Sequence, residues 1–221
     1  MAADETGHWK KIAANLNLAC IEPVCHAAAI ESFIAGQGKE FAGTGYSWDA
    51  TLDLVLHNQA LLRERNIYES ALVGAYTGCK TSFLAERMVG FGALLANADR
   101  QKLRGAGDPL PSQQLRVYRG TGIAEASGRV SGWSWTLSLD VACKFATAWN
   151  AEPVVLAANV ADEEVYFYVV ERYEEEVVCR PNAFQRMNLE LKEIQSRSKS
   201  AVAELQLRNS ARMSAWRPRN D

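Results

Sequence analysis

Apolar positions along this chain change their period near Leu110. Before that point they recur at helical spacing: Leu84, Met88, Phe91 and Leu95 fall on one face, as do Leu52, Val55, Leu56 and Leu62. Pro23 limits an earlier helix, and Ile30, Phe33 and Ile34 give the next one an apolar face. Gly36-Gln37-Gly38 and Gly43-Thr44-Gly45 frame what reads as a flexible connection. The run from Gly105 through Pro109 and Pro111 to Gln114 is the clearest break, because proline and glycine cannot continue the helix before it.

Beyond the break the pattern shortens. Leu115 to Arg119, Val154 to Val160, Val165 to Val170 and Glu176 to Cys179 are rich in β-branched and aromatic residues, as strands are. Between the first two, Ser138 can cap a helix with Asp140 in its first turn and Val141, Phe145 and Trp149 on one face. From Phe184 the chain reads as helical again, then turns polar and basic. The pattern predicts an α+β chain: a helical region over residues 1–110, a strand-rich core over 111–182, and a C-terminal helix with a basic tail over 183–221.

Composition narrows this little. A length of 221 residues with 48% apolar positions supplies one large domain, or a small helical region attached to a compact core. The net charge of -2 exerts no global pull toward nucleic acid or membrane. Residues 192–221 are the local exception, with seven Lys or Arg (Lys192, Arg197, Lys199, Arg208, Arg212, Arg217, Arg219) against Glu193, Glu204 and Asp221. They read as a solvated helix with a frayed end or as a contact for nucleic acid or another partner. The five cysteines, Cys20, Cys25, Cys79, Cys143 and Cys179, are scattered without metal-site spacing, so buried thiols and no metal are expected. No secretory signal is visible from Met1 to Lys11, and no stretch approaches the roughly twenty apolar residues of a membrane helix. A reduced, cytoplasmic protein with no membrane contact is expected.

Three stretches carry candidate chemistry. In Leu115-Arg116-Val117-Tyr118-Arg119-Gly120 an arginine closes an apolar run; its guanidinium can fork onto phosphate oxygens, and Gly120 lets a flat ring approach the backbone. In Gly132-Trp133-Ser134-Trp135-Thr136-Leu137, Ser134 can hydrogen-bond a carboxylate or a sugar hydroxyl. In Tyr173-Glu174-Glu175-Glu176-Val177-Val178, Glu174 and Glu176 would point to the same side of a strand or turn, since side chains alternate. One carboxylate there can favour a cationic sugar and the other can orient or deprotonate a nucleophile. Taken singly these are a surface arginine, an idle strand serine and a solvated acidic turn. Their order along the chain is what distinguishes them.

Leu115 to Pro181, about a third of the chain, resembles the catalytic core of the cholera-toxin-like, Arg-Ser-Glu ADP-ribosyltransferases. It is similar to small bacterial and phage-borne members with a Tyr-Arg-Gly strand and a Ser-Trp-Thr-Leu segment. The resemblance implies a helical region packed on a small mixed or antiparallel β-sandwich core, followed by a C-terminal helix. It implies NAD as co-substrate and no metal. Arg119 would grip NAD and Gly120 would contact the nicotinamide amide through its backbone. Ser134 would organise the site around the catalytic Glu176, with Trp135 and Thr136 in the second and third places of the Ser-Thr-Ser motif and Thr136 at the NAD site. Phe145 would pack by the nicotinamide, and Glu174 would serve the acceptor. Arg172 and Tyr173, in the loop before the motif, would recognise that acceptor. The helices before Arg119 would complete the nucleotide cleft, as they do in relatives.

The implied reaction has a simple electrostatic requirement. Nicotinamide leaves as a neutral ring, so unlike a glycoside's leaving oxygen it needs no general acid. What needs help is the positive charge growing on the ribose. The acceptor is a macromolecule, protein or nucleic acid. In the family a glutamate at the first motif position goes with arginine acceptors. Seven acidic residues between Asp162 and Glu176, against Arg172 alone, also favour a guanidinium. The basic C-terminal stretch argues for RNA or DNA. NAD hydrolysis, with water as acceptor, and a non-catalytic interaction module remain as alternatives. Family likeness and small size imply a toxin, with an antitoxin or inhibitory partner.

Overall fold

The computed structural model describes residues 2–45, 48–78, 85–127, 132–170 and 174–215. The chain divides into two compact units, Met1–Pro109 and Leu110–Asp221.

The first unit is helical: α1 (Ala2–Ala13), α2 (His26–Ala35), α3 (Gly38–Gly43), α4 (Trp48–His57), α5 (Gln59–Glu64), α6 (Tyr68–Gly78), α7 (Ala85–Ala96) and α8 (Arg100–Ala106). Phe33, Phe41, Leu54, Leu62, Tyr68, Leu72, Phe91, Leu95 and Leu103 are the largest fully buried side chains among its described residues. The single apolar face read across Leu52 to Leu62 belongs to two helices, and Leu56 turns outward. The register changes at the buried Asn58, whose side-chain amide donates to the carbonyls of Asn17 and Leu54, each at 2.8 Å. The segment read as a flexible glycine connection is helix α3. Gly36 ends α2 at a left-handed φ of 75°. Gly38 lies so close to α6 that a Cβ there would stand 2.1 Å from Ser70 Oγ. Leu84 falls outside the described residues.

The second unit is built on a sheet: β1 (Gln114–Gly122), followed by the short helix α9 (Ile123–Ala126), then β2 (Ser134–Thr136), β3 (Pro153–Ala161), β4 (Val165–Val169), β5 (Glu176–Cys179) and β6 (Gln185–Arg186). Its order is β4-β5-β2-β1-β3-β6, and every neighbouring pair is antiparallel. The architecture is therefore α+β with an antiparallel sheet. The strands bond edge to edge into one sheet, which differs from the expected two-sheet sandwich. One face gathers Leu115, Val117, Trp135, Leu156 and Val177. Against the other lie α10 (Leu139–Trp149) and, over it, α11 (Leu191–Ala215), burying Ala142, Cys143, Ala146, Val155 and Ile194.

Ser138 caps α10, its Oγ accepting from the Val141 amide at 3.3 Å. Val141, Ala142, Cys143 and Ala146 of α10 are buried; Phe145, placed on one face with Val141, is partly exposed. Small residues win the inward stripe because the helix lies almost on the backbone of β1. A Cβ on Gly120 would stand 1.9 Å from the Ala142 carbonyl oxygen. The chain after Phe184 first adds β6 to the edge of β3, and the helix begins only at Leu191. No helix among the described residues is long and apolar enough to cross a membrane.

Candidate active site

The arginine, serine and glutamate motifs occupy three neighbouring strands, β1, β2 and β5. In the register Thr136 lies opposite Tyr118 of β1 and opposite Glu176 of β5. Tyr118 packs against the cluster around α10. Because side chains two apart share a face, Ser134, Thr136 and Glu176 all start on the α10 side. Trp135, between them, is 2% exposed in the core of the opposite face. The middle place of the motif is thus a packing position.

Ser134 joins the three motifs. Its hydroxyl donates to Glu176 Oε1, and its own carbonyl oxygen accepts from Arg119 Nη1 at 2.8 Å. Arg119 starts from the face of Leu115 and Val117, where that apolar row ends, and reaches across to β2. Gly132 makes room for it: a Cβ there would stand 2.0 Å from Arg119 Nη2. Arg119, Ser134 and Glu176 are each partly exposed, although Arg119 Nε is buried. The hydroxyl bond orients the Glu176 carboxylate without neutralising it. An anionic oxygen held this way can face a developing cation, and the guanidinium can face phosphate.

Several expected roles change. Gly120 was assigned room for a flat ring; that room is filled by Ala142 and Ala146 of α10, and its backbone pairs with Val155. Thr136, expected at NAD, is 5% exposed and its hydroxyl is engaged twice inside the protein. It donates to the Glu174 carbonyl oxygen at 2.6 Å and accepts from the Ser138 amide at 3.0 Å, tethering the loop before β5. Of the strand or turn expected at the two carboxylates, Glu174 lies before β5 and Glu176 opens it. Glu175 sits at a left-handed φ of 45°, so the carboxylate spacing is set by a turn.

That turn carries Glu174 to a partner not anticipated from the sequence. Lys144 Nζ of α10 stands 2.9 Å from Glu174 Oε1 and 4.6 Å from the centre of the Phe145 ring. Phe145 therefore flanks the Lys144–Glu174 pair. The available signal was that Lys144 and Asp140 are the only charged residues in α10. Arg172 and Tyr173 lie outside the described residues.

The wider charge pattern is also partly spent. Glu164 accepts from the Ala161 amide at 2.9 Å and from Asn182 at 3.1 Å. In the basic stretch, Arg197 pairs with Asp140 at 2.9 Å and with Glu193 at 3.0 Å, while Arg208 pairs with Glu204. Residues 216–221 fall outside the described residues. Among those described, no three His, Cys, Asp or Glu side chains are grouped to hold a metal.

Fold and site together define an α+β chain with a serine-oriented carboxylate and an adjacent guanidinium on three antiparallel strands. No family model, curated protein or solved structure matches this chain.

Proposed function

We propose that this chain is an NAD-dependent mono-ADP-ribosyltransferase of the Arg-Ser-Glu class, moving ADP-ribose to a macromolecular acceptor and releasing nicotinamide. The observation that carries the reading is the double engagement of Ser134: its hydroxyl on the Glu176 carboxylate and its carbonyl on the Arg119 guanidinium. The strand order β5-β2-β1, which makes the three motifs neighbours, supports the same core. Arg119 binds the pyrophosphate, Glu176 holds a ribose hydroxyl and favours positive charge at C1′, and Ser134 orients Glu176. As the C1′–N bond breaks, its electron pair stays on the nicotinamide nitrogen; a nucleophile then bonds C1′ and gives up its proton. The family resemblance extends the proposal to a toxin held in check by an antitoxin partner.

Labelled NAD incubated with the full chain and a cell lysate tests this. A transferase leaves label on a macromolecule along with free nicotinamide. Free ADP-ribose with no labelled macromolecule makes the protein an NAD hydrolase. Absence of both products, with no NAD binding by calorimetry, makes it an interaction module.

A further inference from the structure

The resemblance that supports the proposed reaction gives Glu174 to the acceptor, and the charge of its carboxylate is not bare. Lys144 Nζ lies 2.9 Å from Oε1, and the two side chains are only 23% and 16% exposed. Three features hold the arrangement: the Thr136 hydroxyl on the Glu174 carbonyl at 2.6 Å, the left-handed turn at Glu175, and the Phe145 ring beside the ammonium. Among the described residues Oε2 of Glu174 has no hydrogen-bond partner.

We infer that the nucleophile received beside Glu174 is an uncharged hydroxyl, and that Lys144 excludes guanidinium acceptors by occupying the carboxylate's charge. The inference rests on the transfer reaction proposed above and names its acceptor chemistry. A guanidinium arriving at Glu174 must expel the ammonium or share one carboxylate with a second cation. In partly buried surroundings both are costly. A hydroxyl needs only an acceptor for its O–H, and Oε2 supplies one. The balance is complete. The C1′–N bond breaks with its pair on nicotinamide, the hydroxyl oxygen bonds C1′, and its proton passes to Oε2 and on to solvent.

The test uses small acceptors of each kind. The full chain, Lys144→Met, Lys144→Gln and Lys144→Arg are incubated with NAD and either methanol or agmatine, and the products are weighed by mass spectrometry. The wild type should form the methyl ADP-riboside and little ADP-ribosyl-agmatine. The agmatine-to-methanol product ratio should rise about tenfold or more in Lys144→Met and Lys144→Gln, and stay low in Lys144→Arg. A wild type that favours agmatine overturns the inference even if every variant misfolds. So does a ratio unmoved by removing the ammonium. Failure of the wild type to release nicotinamide with either acceptor defeats the transferase reading itself, which separates the two outcomes.

Discussion

The Ser134 hydroxyl donates to the Glu176 carboxylate across the β2–β5 pairing, joining residues 42 apart in sequence. They are not directly opposite: Ser134 faces Val178 and Glu176 faces Thr136. The bond is therefore diagonal, and it holds the carboxylate to β2, whose Ser134 carbonyl also accepts from Arg119.

This diagonal bond separates two kinds of loss. Glu176→Gln keeps the shape and removes the charge, so NAD cleavage should fall roughly a hundredfold or more. Ser134→Ala removes only a hydrogen bond to a charged group, worth about 1.5–3 kcal/mol, and should cost about 10- to 100-fold. Nicotinamide release at saturating NAD measures both. A Ser134→Ala rate equal to wild type would remove the orienting role.

Two glycines of the site should respond differently to one added methyl group. At Gly120 a Cβ meets helix backbone, Ala142 O at 1.9 Å and Ala146 N at 2.4 Å, so β1 and α10 must part. Gly120→Ala should destabilise the fold by about 2 kcal/mol or more. At Gly132 the atoms nearest the Cβ are the guanidinium tip of Arg119, the end of a long side chain rather than backbone. Gly132→Ala should melt close to wild type and bind NAD about tenfold more weakly by calorimetry. Equal melting of the two variants would contradict the contacts.

Burial lifts the Cys143 thiol from 9.0 to about 11, Arg197 opposing, and lifts Cys179 still further, with Arg119 opposing. Each thiol keeps its proton in the folded chain at pH values where the unfolded chain has lost it. Its stabilising contribution is full below about pH 9 and is lost as pH rises, at about 1.4 kcal/mol per pH unit. Urea unfolding at about pH 8 and about pH 10.5 should show the loss, and Cys143→Ala should reduce its slope. A slope unchanged by that substitution would contradict the assignment.

If the protein is a toxin, inducing it in a bacterium should arrest growth, and the Glu176→Gln chain should be tolerated at the same level. Matching growth of the two cultures, with equal expression on a gel, would argue against toxicity.

Much of the fold is legible in runs of residues. The continuous apolar stretch Val154 to Ala158 reads as a strand because β3 is buried on both faces there, with Val154, Val155, Leu156, Ala157 and Ala158 all inaccessible. Ser138 and Asp140 announce the start of α10 through local capping chemistry. By contrast, Gln185 and Arg186 are exposed and polar, and become β6 only because the edge of β3 is there to pair with. Leu56 follows a helical period yet points outward, because α4 buries the face that carries Leu52, Leu54 and Val55. The site divides similarly. Arg119, Ser134 and Glu176 could be chosen from their order, whereas the structural duties of Gly120 and Thr136 depend on what packs against them.

What the amino-acid order determined by itself was local: where helices and strands begin, and which residue types stand ready for chemistry. The pairing of charges belonged to the tertiary structure. Spacing would offer Lys144 the carboxylate of Asp140 one helical turn earlier. The folded chain gives Asp140 to Arg197, 57 residues away, and Lys144 to Glu174, 30 residues away. Ion pairs form at about 3 Å through space. Sheet register and helix docking decide which groups come that close, and separation along the chain carries no record of either.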